Sequence, residues 1–196
     1  MNQPKIRIED YTYELPDERI AKYPLDQRDK SKLLIYNKGI ISQEQFSSIP
    51  SFIPEGSMMV FNNTKVVPAR LFFKKDTGAL IEIFCLEPVT PSDYSVSFAC
   101  ISECSWKTII GNVKKWKGGY LSFFVPEGAD SDVAGLNLKA ELIEKQDNSY
   151  IVRFFWEGGH PFSKVLELCG QVPIPPYLNR ETEAVDLERY QTLYAK

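Results

Sequence analysis

Asn62-Asn63-Thr64-Lys65 and Arg70 gather two carboxamides, a hydroxyl and two cations within one short stretch. Groups of these types recognise a nucleobase edge, a sugar hydroxyl or an anion, provided the backbone brings them to one point. The apolar run Met58-Met59-Val60-Phe61, bounded by Gly56 and the two asparagines, reads as a short buried strand opening onto that polar tip. Val66 and Val67 resume the run, and Pro68 limits it to an edge or a bend. The plain alternative is a turn, because Asn serves wherever a positive φ is needed. Arg28-Asp29-Lys30-Ser31-Lys32 sets four charges and a hydroxyl ahead of Leu33-Leu34, and on its own reads as a solvated loop. Trp106-Lys107 and Lys114-Lys115-Trp116-Lys117 interleave ammonium groups with indoles. That pattern suits a splayed RNA strand, with bases to stack and phosphates to neutralise. It equally suits a hairpin with solubilising lysines and tryptophans packed inside. Pro175-Pro176-Tyr177 and Arg180 place a ring and a cation on rigid backbone, or form a linker.

The elements that must hold these groups follow from periodicity. Between about residues 66 and 156 apolar and polar residues alternate. Tyr94, Val96, Phe98 and Cys100 form one such set; Leu136, Leu138, Ala140 and Leu142 another; Tyr150, Val152, Phe154 and Trp156 a third. Shorter runs at 71–73, 79–86 and 120–125 add further strands. A period of two with turn residues between predicts a small antiparallel barrel or sandwich, with Leu138, Ala140, Val152 and Phe154 inside. Outside it, 16–23 reads as a short helix, 33–41 as a hairpin turning at Asn37-Lys38-Gly39, and 47–53 as a helical turn. Residues 162–168 read as a helix closing the barrel, and 186–194 as a helix capped by Asp186.

The 196 residues carry a net charge of −3 and are 43% apolar, an ordinary globular balance. Nothing announces a basic nucleic-acid binder overall, although local patches do such binding. No apolar run approaches the ~20 residues of a membrane span, and Met1-Asn2-Gln3-Pro4-Lys5 lacks a signal-peptide core, so a cytoplasmic location and no membrane partner are expected. Cys85, Cys100, Cys104 and Cys169 follow no disulfide or zinc spacing and His160 is the sole histidine, so no metal is expected.

Four blocks, taken in order, carry a family resemblance. They are Glu14-Leu15-Pro16 through Ile20-Ala21 and Pro24 to Arg28-Asp29-Lys30-Ser31-Lys32-Leu33-Leu34; Val60-Phe61-Asn62-Asn63-Thr64-Lys65-Val66-Val67-Pro68-Ala69-Arg70; Gly170-Gln171-Val172-Pro173-Ile174-Pro175-Pro176-Tyr177-Leu178-Asn179-Arg180; and Asp186-Leu187-Glu188-Arg189-Tyr190-Gln191-Thr192-Leu193-Tyr194-Ala195. They resemble the S-adenosylmethionine:tRNA ribosyltransferase-isomerases of the queuosine pathway. The resemblance runs from about residue 11 to 196 and is loosest between about 86 and 165. It implies an α+β fold, an antiparallel β-barrel (66–156) inserted into a partial α/β domain made of 1–65 and 157–196. It also implies transfer of the ribosyl moiety of S-adenosylmethionine, a consumed substrate, onto 7-aminomethyl-7-deazaguanine at the wobble position of a tRNA with a GUN anticodon. Epoxyqueuosine forms, and adenine and methionine leave. No metal is implied.

Carried over residue by residue, the resemblance makes Arg28, Asp29, Ser31, Asn62, Asn63, Thr64, Arg70, Tyr177 and Arg180 substrate-binding candidates. It favours Lys107, Lys114, Lys115, Trp116 and Lys117 for tRNA. Asn63 stands where the family has aspartate, and Lys32 and Lys65 where it has arginine. A carboxamide does not titrate, so Asn63 is not assigned as a general base and no catalytic residue is named. Arg28, Asn62, Thr64, Arg70 and Tyr177 are expected around one cleft. The family continues into a block resembling PTAGLHF that is not found here, so an inactive N-terminal fragment is expected. Two rival readings are a non-catalytic RNA-binding barrel and a domain that only contacts a partner protein.

Overall fold

The computed structural model describes residues 6–195 and divides into two compact units. The smaller unit runs to Phe61 and adds Pro175–Glu181. Its regular structure is an antiparallel hairpin of β1 (Lys32–Asn37) and β2 (Ile40–Gln45), with Asn37 opposite Ile40. Lys38 and Gly39, at φ of 47° and 88°, form the connection. Two consecutive positive φ values match the twist of a hairpin, and glycine adopts the second without strain. Around it lie 3₁₀ turns at Ile8–Tyr11, Asp17–Arg19, Arg28–Lys30, Phe46–Phe52 and Pro176–Leu178.

Two expectations fail in this unit. The helix at 16–23 is a single 3₁₀ turn, since Pro16 stays extended at ψ 143° and Ile20 leaves the turn at ψ 111°. The run ahead of Asn62 is neither strand nor buried, and Met58 and Val60 are 89% and 88% exposed. The reason is visible in the unit as a whole. Leu33 and Ile35 are only half-buried, and among the described residues Leu178 is the one hydrophobic side chain of this unit that is buried. A strand with no second layer to pack against has nothing to bury its side chains.

The larger unit, Asn62–Ile174 with Thr182–Lys196, has the core the smaller one lacks. In chain order it contains β3 (Arg70–Lys74), β4 (Leu80–Thr90), α1 (Tyr94–Ala99), β5 (Glu103–Gly111), β6 (Tyr120–Phe123), α2 (Ser131–Gly135), β7 (Lys139–Lys145), β8 (Tyr150–Phe155), α3 (Phe162–Cys169) and α4 (Asp186–Arg189). The strands close into an antiparallel barrel in the order β3-β4-β5-β8-β7-β6, so no edge is left open. Leu71, Phe73, Ile81, Ile83, Leu121, Ala140, Val152 and Phe154 are fully buried, and Leu138 nearly so, which fulfils the expected interior. α3 seals the barrel. Phe162, fully buried, lies 5.6 Å from the rings of Trp106 and Phe154 and 5.3 Å from Trp156.

The alternation at Tyr94, Val96, Phe98 and Cys100 misleads, because this segment is α1. Asp93 accepts a hydrogen bond from the Val96 N–H at 3.0 Å, a helix N-cap. The helix then sets Tyr94 and Phe98 one turn apart, both against Trp106. Leu136 and Leu138 likewise precede β7 rather than open it. Asp130 caps α2 by accepting from Asp132 N–H, and Asn137 turns the chain at φ 43°. The C-terminal helix is shorter than expected, and Asp186 does not cap it. Asp186 is fully buried and accepts from Glu183 N–H at 2.8 Å, bracing the preceding loop. No helix among the described residues is long and apolar enough to cross a membrane.

Candidate functional site

In the larger unit the second and fourth sequence blocks are bonded to each other. Gln191 grips Val66 at both backbone atoms: its Oε1 accepts from Val66 N–H at 2.7 Å and its Nε2 donates to Val66 C=O at 2.9 Å. The Thr192 hydroxyl donates to Asn62 C=O at 3.0 Å and accepts from Tyr194 N–H at 3.1 Å. Side chains thus satisfy Asn62 C=O and both backbone groups of Val66 in this non-strand segment. Asn62 Oδ1 accepts from both the N–H and the hydroxyl of Thr64, at 2.9 and 2.7 Å. The segment is neither the expected strand nor a turn at positive φ; Asn62 instead organises an Asx turn with an ordinary φ. Its acceptor oxygen is occupied, which leaves the Nδ2 donors to address a ligand. Asn63 and Lys65 are exposed and make no hydrogen bond or ion pair among the described residues.

Arg70 opens β3 and is held at several points. Its backbone bridges Gln171, with Gln171 N–H donating to Arg70 C=O at 2.8 Å and Arg70 N–H to Gln171 C=O at 3.3 Å. Its side chain donates through Nε to Glu82 at 2.6 Å and lies 5.1 Å from the Phe72 ring centre. Glu82 therefore offsets the charge expected to bind an anion, and Arg70 presents a neutralised, oriented guanidinium. Gly170 permits the bridge. A Cβ there would stand 1.8 Å from Pro68 O and 2.6 Å from Leu166 O.

The first block and most of the third lie in the smaller unit. Arg180 donates through Nε to Lys22 C=O at 2.8 Å and through Nη1 to Glu181 C=O at 2.9 Å. Its guanidinium sits 4.6 Å from the Tyr23 ring centre. Arg28, half-buried, begins a 3₁₀ turn whose C-cap Ser31 donates its N–H back to Arg28 C=O at 3.2 Å. Ser31 C=O accepts from Phe46 N–H at 2.8 Å, so the charged run is tied to the hairpin. Asp29 is exposed, and Tyr177 is 62% exposed on Pro175 and Pro176.

The lysine–tryptophan cluster divides. Trp106 and Trp116 are 3% and 2% exposed, and Trp116 Nε1 donates to Gly119 C=O at 3.1 Å. Their faces belong to the core, so Trp116 offers no plane to a nucleobase, because the barrel interior fills the space a base would need. Lys107 is paired with Glu87 at 2.7 Å. Lys114, Lys115 and Lys117 are exposed on the turn before β6.

The cysteines are free thiols. Burial pushes Cys104 and Cys169 up to about 12, and Cys85 higher still, so none of the three is a thiolate at neutral pH. Among the described residues no group of three or more His, Cys, Asp or Glu is arranged to hold a metal ion. Gln171, Gln191, Thr192 and Glu82, which contact candidate residues, were not singled out from the sequence, although Gln171 stood within the third block and Gln191 and Thr192 within the fourth.

A family model described as "queuosine biosynthesis protein" matches residues 8–196. Among curated relatives, a protein of Trichlorobacter lovleyi is 37% identical over 190 residues, covering 96% of this chain and 49% of the relative. One of Aquifex aeolicus is 35% identical over 194 residues, covering 97% and 50%. One of Desulfitobacterium hafniense is 37% identical over 194 residues, with the same two coverages. All three are named S-adenosylmethionine:tRNA ribosyltransferase-isomerase. The chain spans about half the length of these relatives.

Proposed function

The chain belongs to the queuosine biosynthesis protein family, and from that premise we propose that it serves tRNA modification as the barrel-bearing part of an S-adenosylmethionine:tRNA ribosyltransferase-isomerase. The observation that carries the reading is the family match across 8–196, which takes in all four blocks. The bonding of Asn62 and Val66 to Thr192 and Gln191 supports it, since it gives those blocks a shared purpose.

The reaction joins the ribosyl carbons of S-adenosylmethionine to the amine of 7-aminomethyl-7-deazaguanine in a GUN-anticodon tRNA. Rearrangement gives epoxyqueuosine, with adenine and methionine released. In this reading Asn62 Nδ2, Asn63 and Thr64 address the nucleoside by hydrogen bonds. Arg28, Asp29, Ser31, Tyr177 and Arg180 bind the remaining polar and charged parts of the substrates, and Lys114, Lys115 and Lys117 meet tRNA phosphates. Arg70, paired with Glu82, positions rather than neutralises. S-adenosylmethionine is consumed, no metal takes part, and the protein works in the cytoplasm.

We further propose that these 196 residues alone do not turn over. The smaller unit carries its candidate groups with one buried hydrophobic side chain among its described residues. Catalysis by positioning needs groups held far more firmly, and its loss removes ~7–11 kcal/mol of barrier lowering. Incubation with S-adenosylmethionine and a tRNA bearing the aminomethyl base tests this. No adenine above background is expected, and release at the rate of a full-length relative refutes it. A second reading, an RNA-binding barrel without catalysis, draws on the closed barrel and its core. Salt-sensitive tRNA binding by the chain, with no turnover when a complementary half of a relative is added, favours it.

A further inference from the structure

We propose that the outward face of β6, β7 and β8 is a stacking platform for single-stranded RNA, with Tyr120, Phe155 and Arg153 supplying its planes. This rests on the reading that the protein acts on RNA, and it names a site that the four sequence blocks do not contain. Leu121, Ala140, Val152 and Phe154 point into the barrel, so the pleat turns their neighbours Tyr120, Glu141, Arg153 and Phe155 outward. The register then sets them side by side, with Tyr120 opposite Glu141 and Glu141 opposite Arg153.

Three features make this face unlike an ordinary barrel exterior. Tyr120 is 63% exposed, yet its ring is fixed edge-on to Phe155, with centres 5.9 Å apart at 70°. Arg153 lies 4.8 Å from the centre of the Phe155 ring. Glu141 Oε2 locks that guanidinium by accepting from both Nη2, at 2.6 Å, and Nε, at 3.2 Å. Planar groups already immobilised stack a base with little further loss of side-chain entropy.

The charge around the face selects the occupant. Lysines outnumber acids around it: residues 103–127 hold Lys107, paired with Glu87, and Lys114, Lys115 and Lys117, against Glu103, in register with Phe155, and Glu127. Lys114, Lys115 and Lys117 belong to the turn that leads directly into Tyr120. Lys139, in register with both Ser122 and Phe155, adds a cation between the strands. Aromatic planes bordered by ammonium groups fit bases joined by phosphates. A hydrophobic protein partner would instead be met by apolar side chains at the centre of the patch.

Fluorescence anisotropy with a labelled anticodon stem-loop RNA tests the proposal, using the full chain. Tyr120→Ala is expected to weaken binding roughly 5- to 150-fold with an unchanged salt slope, since stacking carries no counterion release. Tyr120→Phe, which keeps the ring, is expected to bind as the parent does. Lys117→Ala should instead lower the slope. Should Phe155→Ala fail to fold, the two Tyr120 variants decide, because that ring is largely in solvent. Parent-like binding by Tyr120→Ala, with lysine variants still weakened, overturns the platform and leaves the RNA reading standing. Absence of any RNA binding by the parent chain overturns both. Loss of a protein partner rather than RNA from Tyr120→Ala also overturns it.

Discussion

Gly170→Ala is the sharpest single perturbation the larger unit offers. The added Cβ would lie 1.8 Å from Pro68 O and 2.6 Å from Leu166 O. Both are backbone atoms, so no rotamer change relieves the overlap, and the segments on either side must separate by more than an ångström. Overpacking a tight site costs ~1–3 kcal/mol, and a clash with backbone on two sides belongs at the upper end. For a chain of this size ~3 kcal/mol lowers Tm by about 6–12 °C. The displacement also reaches the bridge between Gln171 and Arg70, whose 2.8 and 3.3 Å hydrogen bonds sit next to the substituted position. Thermal unfolding by near-UV circular dichroism reads the first effect, and amide exchange at Arg70 and Gln171 the second. Gly135→Ala is the control, because nothing lies within 4 Å of its Cβ and its φ is ordinary. It should change stability by less than ~1 kcal/mol. A Gly170→Ala protein melting within about 2 °C of the parent, with both amides still protected, would refute the close-approach reasoning.

Three further outcomes follow from the core and the site. Phe162→Ala removes the ring that touches Trp106, Phe154 and Trp156, and should cost ~3–5 kcal/mol by urea denaturation followed with tryptophan fluorescence; a loss below ~1 kcal/mol would mean α3 does not seal the barrel. Cys104 and Cys169 are raised from 9.0 to about 12 by burial, so their contribution is complete below pH 9 and is lost as pH climbs towards 12. Unfolding midpoints should therefore fall above pH 9, and alkylation of the native protein should spare Cys85, Cys104 and Cys169; rapid native labelling of these three contradicts it. Gln191→Ala leaves Val66 N–H and C=O without their partners, and should speed exchange of the Val66 amide by ~10-fold or more while the barrel amides stay protected; unchanged exchange at Val66 would show that the clamp holds nothing.

The barrel was legible because a closed sheet imposes a strict period of two, and Ala140, Val152 and Phe154 obey it. Tyr94 to Cys100 obeyed the same pattern and still formed a helix, since the signal lay outside the alternation, in Asp93 and the spacing of Tyr94 from Phe98. The strand expected before Asn62 failed for a different reason. Met58 and Val60 are apolar, but no second layer among the described residues of the smaller unit covers them, and sequence pattern alone does not reveal whether such a layer is present. Candidate-site contacts were legible where bonding is local, as between Asn62 and Thr64. They were not where it depends on distant pairing. Nothing near Arg70 announces Glu82, and nothing near Val66 announces Gln191, 125 residues away. Trp116 shows the opposite error, a side chain whose type suits stacking but which the turn before β6 folds into the core.

The central claim, proposed above, is that this chain contributes to the family's tRNA-modifying function and does not turn over by itself. The most direct test replaces the matching half of the Trichlorobacter lovleyi relative with residues 1–196 and measures adenine released from S-adenosylmethionine. The assay is run with and without tRNA carrying 7-aminomethyl-7-deazaguanine, beside the isolated chain. The account predicts tRNA-dependent adenine release by the chimera and none by the chain alone. A folded chimera that binds both substrates yet releases no adenine, or an isolated chain that matches it, would contradict the account.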